Sequence, residues 1–172
     1  MFTVDTHGLH PSTLLCLRAL ETLHARTDIK SALDMGCGNG ILAAVTANIW
    51  SANVLAADIS PNAVKDAQDA LLAQQLQTRV TVVRSDGFSH PEIARNAPYD
   101  LIVCNMLADF LLDMAENMHK YAAKQGYLLL SGIFAWRAAD IEAAYQTLGF
   151  EIQEKFEESP WVATLLRHKS ET

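Results

Sequence analysis

Short apolar runs that end in Asp, Gly or Asn alternate along this chain with longer stretches whose apolar residues recur at helical spacing. The runs lie at residues 32–35, 53–57, 80–83, 99–104 and 127–133. Five strand–helix alternations of this kind are typical of an open α/β sheet of parallel strands with helices on both faces. Residues 150–156 and 161–167 alternate in polarity instead, which predicts a terminal antiparallel strand pair. The sequence therefore predicts a mostly parallel seven-stranded sheet.

Capping residues mark several of the helices. Ser12 is expected to cap the first helix, and Pro61, directly after Ser60, to open the third. Gly149 is expected to close the last one. Helices are thus predicted from Ser12 onward and over 41–50, 61–72, 107–124 and 138–148, with a loop that contains Pro91 and Pro98. The stripe of Trp136, Ile141, Tyr145 and Leu148 is predicted to lie in the core.

The charge balance limits the classes of partner. Thirteen basic and twenty acidic side chains give a net charge of −7. This charge argues against a broad grip on nucleic acid, since such a grip requires clustered Lys and Arg. An acidic enzyme suits a basic partner such as a Lys-rich protein. The N-terminal residues lack the basic start of a signal peptide, and no apolar run approaches the ~20 residues that span a bilayer.

The cysteines indicate a reducing compartment. Cys16, Cys37 and Cys104 are odd in number and contain no C-x-x-C pair, so neither a disulfide framework nor a zinc ribbon is expected. We expect no metal site and a cytoplasmic location. We also expect one domain over residues 1–172, in which residues 1–30 hold an N-terminal segment and the first helix, with no separate substrate domain.

The segment LDMGCGNGIL joins the first strand to the next helix. Gly36, Gly38 and Gly40 stand there at alternate positions, and such glycines allow a tight turn and a close approach of ligand to backbone. The dinucleotide fingerprint G-x-G-x-x-G has a longer last gap. Asp34 would also repel a pyrophosphate, whereas a cationic ligand tolerates a nearby carboxylate. The loop therefore favours a cationic ligand over a dinucleotide, and Asp34, Gly36, Gly38 and Gly40 are expected to bind that ligand.

Asp58 ends the second strand, about 22 residues after Gly36, where the spacing typical of a ribose-binding acid is roughly 20. A carboxylate can accept hydrogen bonds from both ribose hydroxyls. In the alternative interpretation, Asp58 caps the helix at Pro61 in competition with Ser60. The adjacent Ile59 can pack against a purine face.

Polar residues also follow the third and fourth strands. Asp86, before Gly87, can accept a hydrogen bond from the exocyclic amine of an adenine, although Asp-Gly is equally a turn dipeptide. Asn105 offers one acceptor and two donors, and its alternative role is to cap the following helix. Since parallel strands share one carboxyl edge, these side chains are expected near the point where strand order reverses.

Together the motifs resemble those of class I S-adenosylmethionine-dependent methyltransferases. LDMGCGNG, AADIS, RSDGF and YDLIVCNML are similar to that family's glycine loop, ribose acid, adenine loop and post-strand-four motif. A narrower resemblance, over about residues 2–168, is to the catalytic domain of the bacterial ribosomal protein L11 methyltransferases. It rests on HPSTLLCL, GCGNGILA, NMLADFL, LLLSGIF and PWVATLLRH.

The resemblance implies a Rossmann-like fold, with S-adenosylmethionine as cofactor and S-adenosylhomocysteine as product. By position it implies that Thr13 and Asn105 line the cofactor site beside Gly36 and Asp58. In that family a separate N-terminal domain captures the ribosomal protein, whereas this sequence starts almost at the catalytic domain. Because related small catalytic domains modify lysines of other proteins, the resemblance implies a lysine or amino group of a protein, ribosomal or otherwise basic, as the acceptor.

Two alternatives stay open at this point. One is a methyltransferase that acts on RNA or a small molecule, and the other is a cofactor-binding module without activity of its own. For an amine acceptor, we expect the Asn105 side-chain carbonyl and the Met106 backbone carbonyl to orient the nitrogen at the methyl group. His7 and His10 are candidates for a lid over the cofactor.

Overall fold

The computed structural model describes residues 6–169, so that residues 1–5 and 170–172 of the expected domain lie outside the described residues. The helices are α1 (Pro11–His24), α2 (Ile41–Trp50), α3 (Pro61–Ala73), α4 (Pro91–Asn96), α5 (Ala108–Asp113), α6 (Ala115–Tyr121) and α7 (Ala138–Thr147). The strands are β1 (Ser31–Met35), β2 (Asn53–Asp58), β3 (Val80–Arg84), β4 (Tyr99–Asn105), β5 (Ala122–Phe134), β6 (Phe150–Glu158) and β7 (Trp161–His168). Between residues 6 and 169, no helix is long and apolar enough to cross a bilayer.

The strands form one sheet in the order β3-β2-β1-β4-β5-β7-β6. Strands β1 to β5 are parallel, and β7 runs antiparallel to both β5 and β6. The prediction of a mostly parallel sheet with a terminal antiparallel pair is thus confirmed. Strand order reverses between β1 and β4, where Met35 lies beside Cys104. The ends of these two strands therefore border the crevice in which such sheets bind ligands.

The core has two layers, one on each face of the sheet. In β4, Leu101 and Val103 pack in the layer with α1 and α2, whereas Ile102 and Cys104 pack in the layer with α5 and α6. Successive side chains of a strand point to opposite faces, so a strand buried on both faces is apolar at every position. This explains the unbroken apolar run that precedes Asn105.

Several local predictions are wrong at helix boundaries. His10 caps α1 instead of Ser12, because Pro11 occupies the first helical position and moves the start forward. The predicted helix over 107–124 is divided into α5 and α6, and β5 already begins at Ala122, which pairs with Tyr99 of β4. Here strand pairing overrides helical propensity. The loop predicted around Pro91 contains the short helix α4.

The expected burial of Trp136 is also wrong. Ile141 and Tyr145 are fully buried, but Trp136 is 74% exposed. It lies in a 3₁₀ turn, Ala135–Arg137, that precedes α7. Because this turn does not continue the α7 stripe, the side chain points out of the core.

Candidate cofactor and acceptor site

An open cleft of about 410 Å³ lies over the carboxyl ends of β1, β2 and β3 and beside α5. Its volume falls in the range of roughly 300–1,000 Å³ that is usual for small-ligand sites. The cleft is lined by Met35, Gly36, Ala57, Asp58, Ile59, Ser85, Asp86, Gly87, Met106, Phe110, Asp113 and Met114. Six of the residues singled out in the sequence are thereby brought together: Gly36, Asp58, Ile59, Asp86, Gly87 and Met106.

Asp58 connects the glycine loop to the start of α3. Its Oδ2 accepts a hydrogen bond of 2.9 Å from the Gly38 backbone N–H, and its Oδ1 accepts one of 2.9 Å from the Ser60 N–H. Ser60, not Asp58, caps α3, since its hydroxyl accepts from the Ala63 N–H. Each carboxylate oxygen has two lone pairs. Asp58 can therefore hold the loop and still accept hydrogen bonds from a ligand in the cleft.

Asp34 lies beneath the glycine loop and outside the cleft lining. The residue is 2% exposed, and its Oδ2 accepts a 2.9 Å hydrogen bond from the Ala43 N–H in the first turn of α2. Burial raises the pKa of Asp34 to about 7, and the nearby Asp58 charge adds to the rise, while the Ala43 hydrogen bond opposes it. The observed contact of Asp34 thus anchors α2 to β1.

The three loop glycines differ in their surroundings. Gly36 has φ +73°, and a Cβ there would lie 2.7 Å from the Met106 Sδ. At Gly40, which like Gly38 lies outside the lining, a Cβ would lie 3.1 Å from the Ala67 Cβ of α3. Gly36 therefore lets the Met106 side chain pack against the glycine loop, whereas Gly40 allows α2 and α3 to pack closely.

Thr13 and Asn105 are 92 residues apart in sequence and in direct contact. The Asn105 Nδ2 donates a 3.2 Å hydrogen bond to the Thr13 Oγ1. Neither residue lines the cleft itself, but the next residue, Met106, does. The contact holds the Asn105 side chain against the first turn of α1.

The other six of the twelve residues that line the cleft were not predicted from the sequence. Met35, Ala57 and Ser85 flank the motif residues directly, so their presence could have been inferred from strand ends alone. Phe110, Asp113 and Met114 come from or follow α5. Phe110 belongs to the NMLADFL segment, but nothing in that segment predicts that α5 packs over the cleft. Of the two lid candidates, His10 stacks edge-on against Trp161 at 4.8 Å between ring centroids, and His7 is exposed.

The three cysteines lie in surroundings that disfavour the reactive thiolate form. All three are buried. Burial raises the pKa of Cys16 to about 12 and also raises the pKa values of Cys37 and Cys104. The thiols are therefore protonated, and a protonated thiol is a poor nucleophile and metal ligand. The part of the chain that the structure describes contains no group of three or more side chains suited to hold a metal ion.

The sheet order, with a glycine loop after β1 and an acid after β2, defines a Rossmann-like methyltransferase fold. The chain superimposes with a TM-score of 0.84 on the crystal structure of a ribosomal protein L11 methylase from Lactobacillus delbrueckii subsp. bulgaricus, at 25% identity, over 94% of this chain and 80% of that one. An RNA methyltransferase from Salinibacter ruber, in complex with S-adenosylhomocysteine, shares the fold alone, at 12% identity and a TM-score of 0.71 over 95% of each chain.

Sequence comparison gives the particular family. Residues 6–169 match the model of the ribosomal protein L11 methyltransferase (PrmA) family. The L11 methyltransferase of Mesorhizobium japonicum is 35% identical over 161 residues, which are 94% of this chain and 56% of that protein. The chain belongs to the ribosomal protein L11 methyltransferase family. It spans about half the length of the curated relatives that it matches.

The cleft has the chemistry that S-adenosylmethionine requires. Asp58 presents a carboxylate for ribose hydroxyls, and Ile59, 58% exposed, offers an apolar surface for a purine. Asp86 stands exposed at the end of β3 as an acceptor for an adenine amine. Gly36 brings backbone without a Cβ into the lining. The residues therefore fit this cofactor.

Proposed function

We propose that the protein is an S-adenosylmethionine-dependent methyltransferase that N-methylates lysine or amino groups of a protein, with S-adenosylhomocysteine as product. The observation that carries the proposal is the adjacency of two sites. The cleft with Asp58 and Asp86 suits the cofactor, and the carbonyl-bearing end of β4, at Asn105 and Met106, borders the same crevice. In this proposal Gly36, Asp58, Ile59, Asp86, Gly87, Thr13 and Asn105 hold the cofactor, and Asp34, Gly38 and Gly40 support the loop.

Carbonyl oxygens suit an amine acceptor. The cofactor supplies an electrophilic methyl group on a sulfonium, so the new N–C bond forms as the S–C bond breaks and the electron pair returns to sulfur. A lysine ammonium, with an ordinary pKa near 10.4, must first lose its proton to solvent. The Asn105 Oδ1 and the Met106 carbonyl oxygen then accept hydrogen bonds from the remaining N–H groups. Catalysis by such groups comes from positioning.

The surface beside the site supports a polypeptide acceptor. Three large apolar side chains are more than half exposed there: Leu107, Phe110 and Trp136. Asp109 of α5 forms an ion pair with Arg137 at 2.9 Å. This ion pair connects α5 to the 3₁₀ turn that contains Trp136. Exposed apolar residues near a site are typical of protein contact surfaces. A net charge of −7 favours a basic partner.

The remaining parts of the proposal concern the organisation and location of the protein. We infer that residues 1–172 act as one cofactor-binding domain in the cytoplasm. Family membership supports a ribosomal protein as the substrate. The three buried, reduced cysteines support a reducing compartment.

The test is transfer of tritium-labelled methyl groups to separate acceptors: ribosomal protein L11, poly-L-lysine, total RNA and a mixture of small amines. We expect label in ribosomal protein L11, in poly-L-lysine or in both, with mass spectrometry locating it on nitrogen. Label in RNA or small amines alone would show that the acceptor class is wrong. Binding of S-adenosylhomocysteine without any transfer would favour a cofactor-binding module.

A further inference from the structure

Strand β5 contains an irregularity at Ser131 and Gly132. Its pairing with β7 shifts register between Leu130 and Ile133, so the two residues between them form a bulge. Gly132 is buried and has φ +77°. Bulges often lie beside active sites, where they redirect neighbouring groups. This bulge lies level with the end of β4, because Ser131 is the partner of Asn105 in the β4–β5 pairing.

Hydrogen bonds fix the bulge to two other elements. The Ser131 carbonyl oxygen accepts a 3.1 Å bond from the Met106 backbone N–H. The Ser131 hydroxyl donates a 3.0 Å bond to the Ser12 carbonyl oxygen of α1. The bulge, the end of β4 and the first turn of α1 therefore form one connected unit.

Gly132 faces the two oxygens that the proposed mechanism uses. A Cβ at this position would lie 2.6 Å from the Met106 carbonyl oxygen and 3.0 Å from the Asn105 Oδ1. Neither oxygen can move aside freely, since Met106 is bonded to Ser131 and the Asn105 amide to Thr13. Only a residue without a side chain lets both oxygens approach this point of the backbone.

We propose that Gly132 is a positioning residue for the acceptor amine, because its missing side chain allows the Asn105 and Met106 oxygens to converge at the end of β4. The proposal rests on the function proposed above. In this role Gly132 acts through Asn105 and Met106 and touches neither the cofactor nor the acceptor itself.

Gly149 is a matched control for the alternative, in which Gly132 serves only to accommodate a positive φ. Gly149 has φ +87°, and a Cβ there would meet nothing within 4 Å. It lies between α7 and β6, away from the cleft lining. Alanine at either position brings the same kind of backbone strain. Only Gly132→Ala also crowds the two oxygens.

The experiment compares Gly132→Ala with Gly149→Ala and the unmodified protein. Methyl transfer to poly-L-lysine is measured at saturating cofactor, S-adenosylhomocysteine affinity by calorimetry, and folding by thermal unfolding. A displaced reacting group can lower the rate by on the order of 100-fold. We therefore expect the kcat of Gly132→Ala to fall by at least about tenfold. Its Kd for S-adenosylhomocysteine should stay within about twofold of the value for the unmodified protein. Gly149→Ala should show a smaller thermal shift, from backbone strain alone, with kcat nearly unchanged.

Two NMR measurements extend the test beyond turnover. In asparagine-labelled protein, the Asn105 side-chain amide resonance should shift in Gly132→Ala and stay in place in Gly149→Ala. If Gly132→Ala does not fold, the unmodified protein saturated with S-adenosylhomocysteine is titrated with n-butylamine as a lysine side-chain analogue. The Gly132 and Asn105 resonances should then respond together, with Gly149 as the unaffected reference.

Failure of the proposed function and failure of the positioning role of Gly132 give different results. If the unmodified protein binds S-adenosylhomocysteine but methylates none of the acceptors, the proposed function is wrong and the role of Gly132 with it. If the unmodified protein methylates poly-L-lysine and Gly132→Ala loses no more kcat than Gly149→Ala, the positioning role alone is overturned. Binding of n-butylamine that leaves Gly132 and Asn105 unperturbed overturns it as well.

Discussion

The two halves of the crevice edge are built differently. On the side of β1, β2 and β3, each candidate cofactor contact belongs to a single strand-and-turn segment, as Gly36, Asp58 and Asp86 do. On the side of β4 and β5, the candidate acceptor groups depend on contacts between residues 92 and 119 positions apart, Asn105 with Thr13 and Ser131 with Ser12. We call the side of β1, β2 and β3 the cofactor half and the side of β4 and β5 the acceptor half. The contacts of the cofactor half come from short segments of sequence, whereas those of the acceptor half form only when α1, β4 and β5 pack together. Cofactor binding and methyl transfer should therefore be separable by mutation.

Substitution of Asn105 should separate them most clearly. Asn105→Ala removes one preorganised hydrogen bond at the reacting nitrogen, which typically costs on the order of 100-fold in rate. Affinity for S-adenosylhomocysteine should change much less, because Asn105 is only one of the proposed cofactor contacts and those on the side of β1, β2 and β3 remain. The measurement is turnover on the acceptor found in the labelling experiment, paired with calorimetric titration of the same variant.

Asn62→Ala is the control, since Asn62 is exposed on α3, and it should resemble the unmodified protein in both measurements. Equal losses of turnover and affinity in Asn105→Ala would assign Asn105 to the cofactor contacts alone and break the division between the halves. Unchanged turnover would mean that other groups hold the amine.

Asp58→Ala should produce the opposite pattern. Loss of hydrogen bonds to a charged group costs roughly 1.5–3 kcal/mol, so S-adenosylhomocysteine affinity should fall by about 10- to 150-fold. Calorimetry measures this directly. Asp69→Ala, which removes an exposed carboxylate paired with Lys65, is the control and should bind normally. Unchanged affinity in Asp58→Ala would limit Asp58 to its bonds with Gly38 and Ser60.

The same division explains what the sequence could predict. Apolar runs and strand-end residues are local patterns, so they predicted the seven strands and the residues that gather around Gly36 and Asp58. The contribution of α5 to the cleft, through Phe110 and Asp113, depends on how a helix packs over the sheet. The bulge at Gly132 depends on how β5 pairs with β7. Neither packing arrangement has a sequence pattern of its own.

Asp34 should give the cofactor half a distinct pH dependence of stability. Its folded-state pKa of about 7 lies above the ordinary value of 3.8, so between these values the folded protein keeps a proton that the unfolded chain has released. Stability due to this group therefore falls as pH rises from about 4 to 7, by up to about 1.4 kcal/mol per pH unit, and is constant above. Asp34→Asn retains an acceptor for the Ala43 N–H and has no titrating proton.

Urea unfolding at pH 5, 6, 7 and 8 tests this expectation. The free energy of unfolding of Asp34→Asn should rise relative to that of the unmodified protein up to pH 7 and then level off. Asp69→Asn, on the exposed face of α3, should run parallel to the unmodified protein throughout. A parallel profile for Asp34→Asn would show that Asp34 is ionised in the folded state across this range.

The smallest expected effect concerns Trp136 at the outer margin of the acceptor half. Because this side chain is 74% exposed, Trp136→Ala should leave the midpoint of thermal unfolding within about 2 °C, as is usual for surface changes of less than about 0.5 kcal/mol. If the exposed apolar residues contact a polypeptide, the variant should raise KM for the protein acceptor by about threefold, less than 1 kcal/mol, with kcat unchanged. KM for a small amine should not change, since such an acceptor does not extend to Trp136. Leu72→Ala provides the matched control, because Leu72 is 60% exposed on α3, outside the cleft lining. An equal rise in KM for both acceptors would place Trp136 at the amine itself, and no rise for either would confine the acceptor half to Asn105, Met106 and the bulge beneath them.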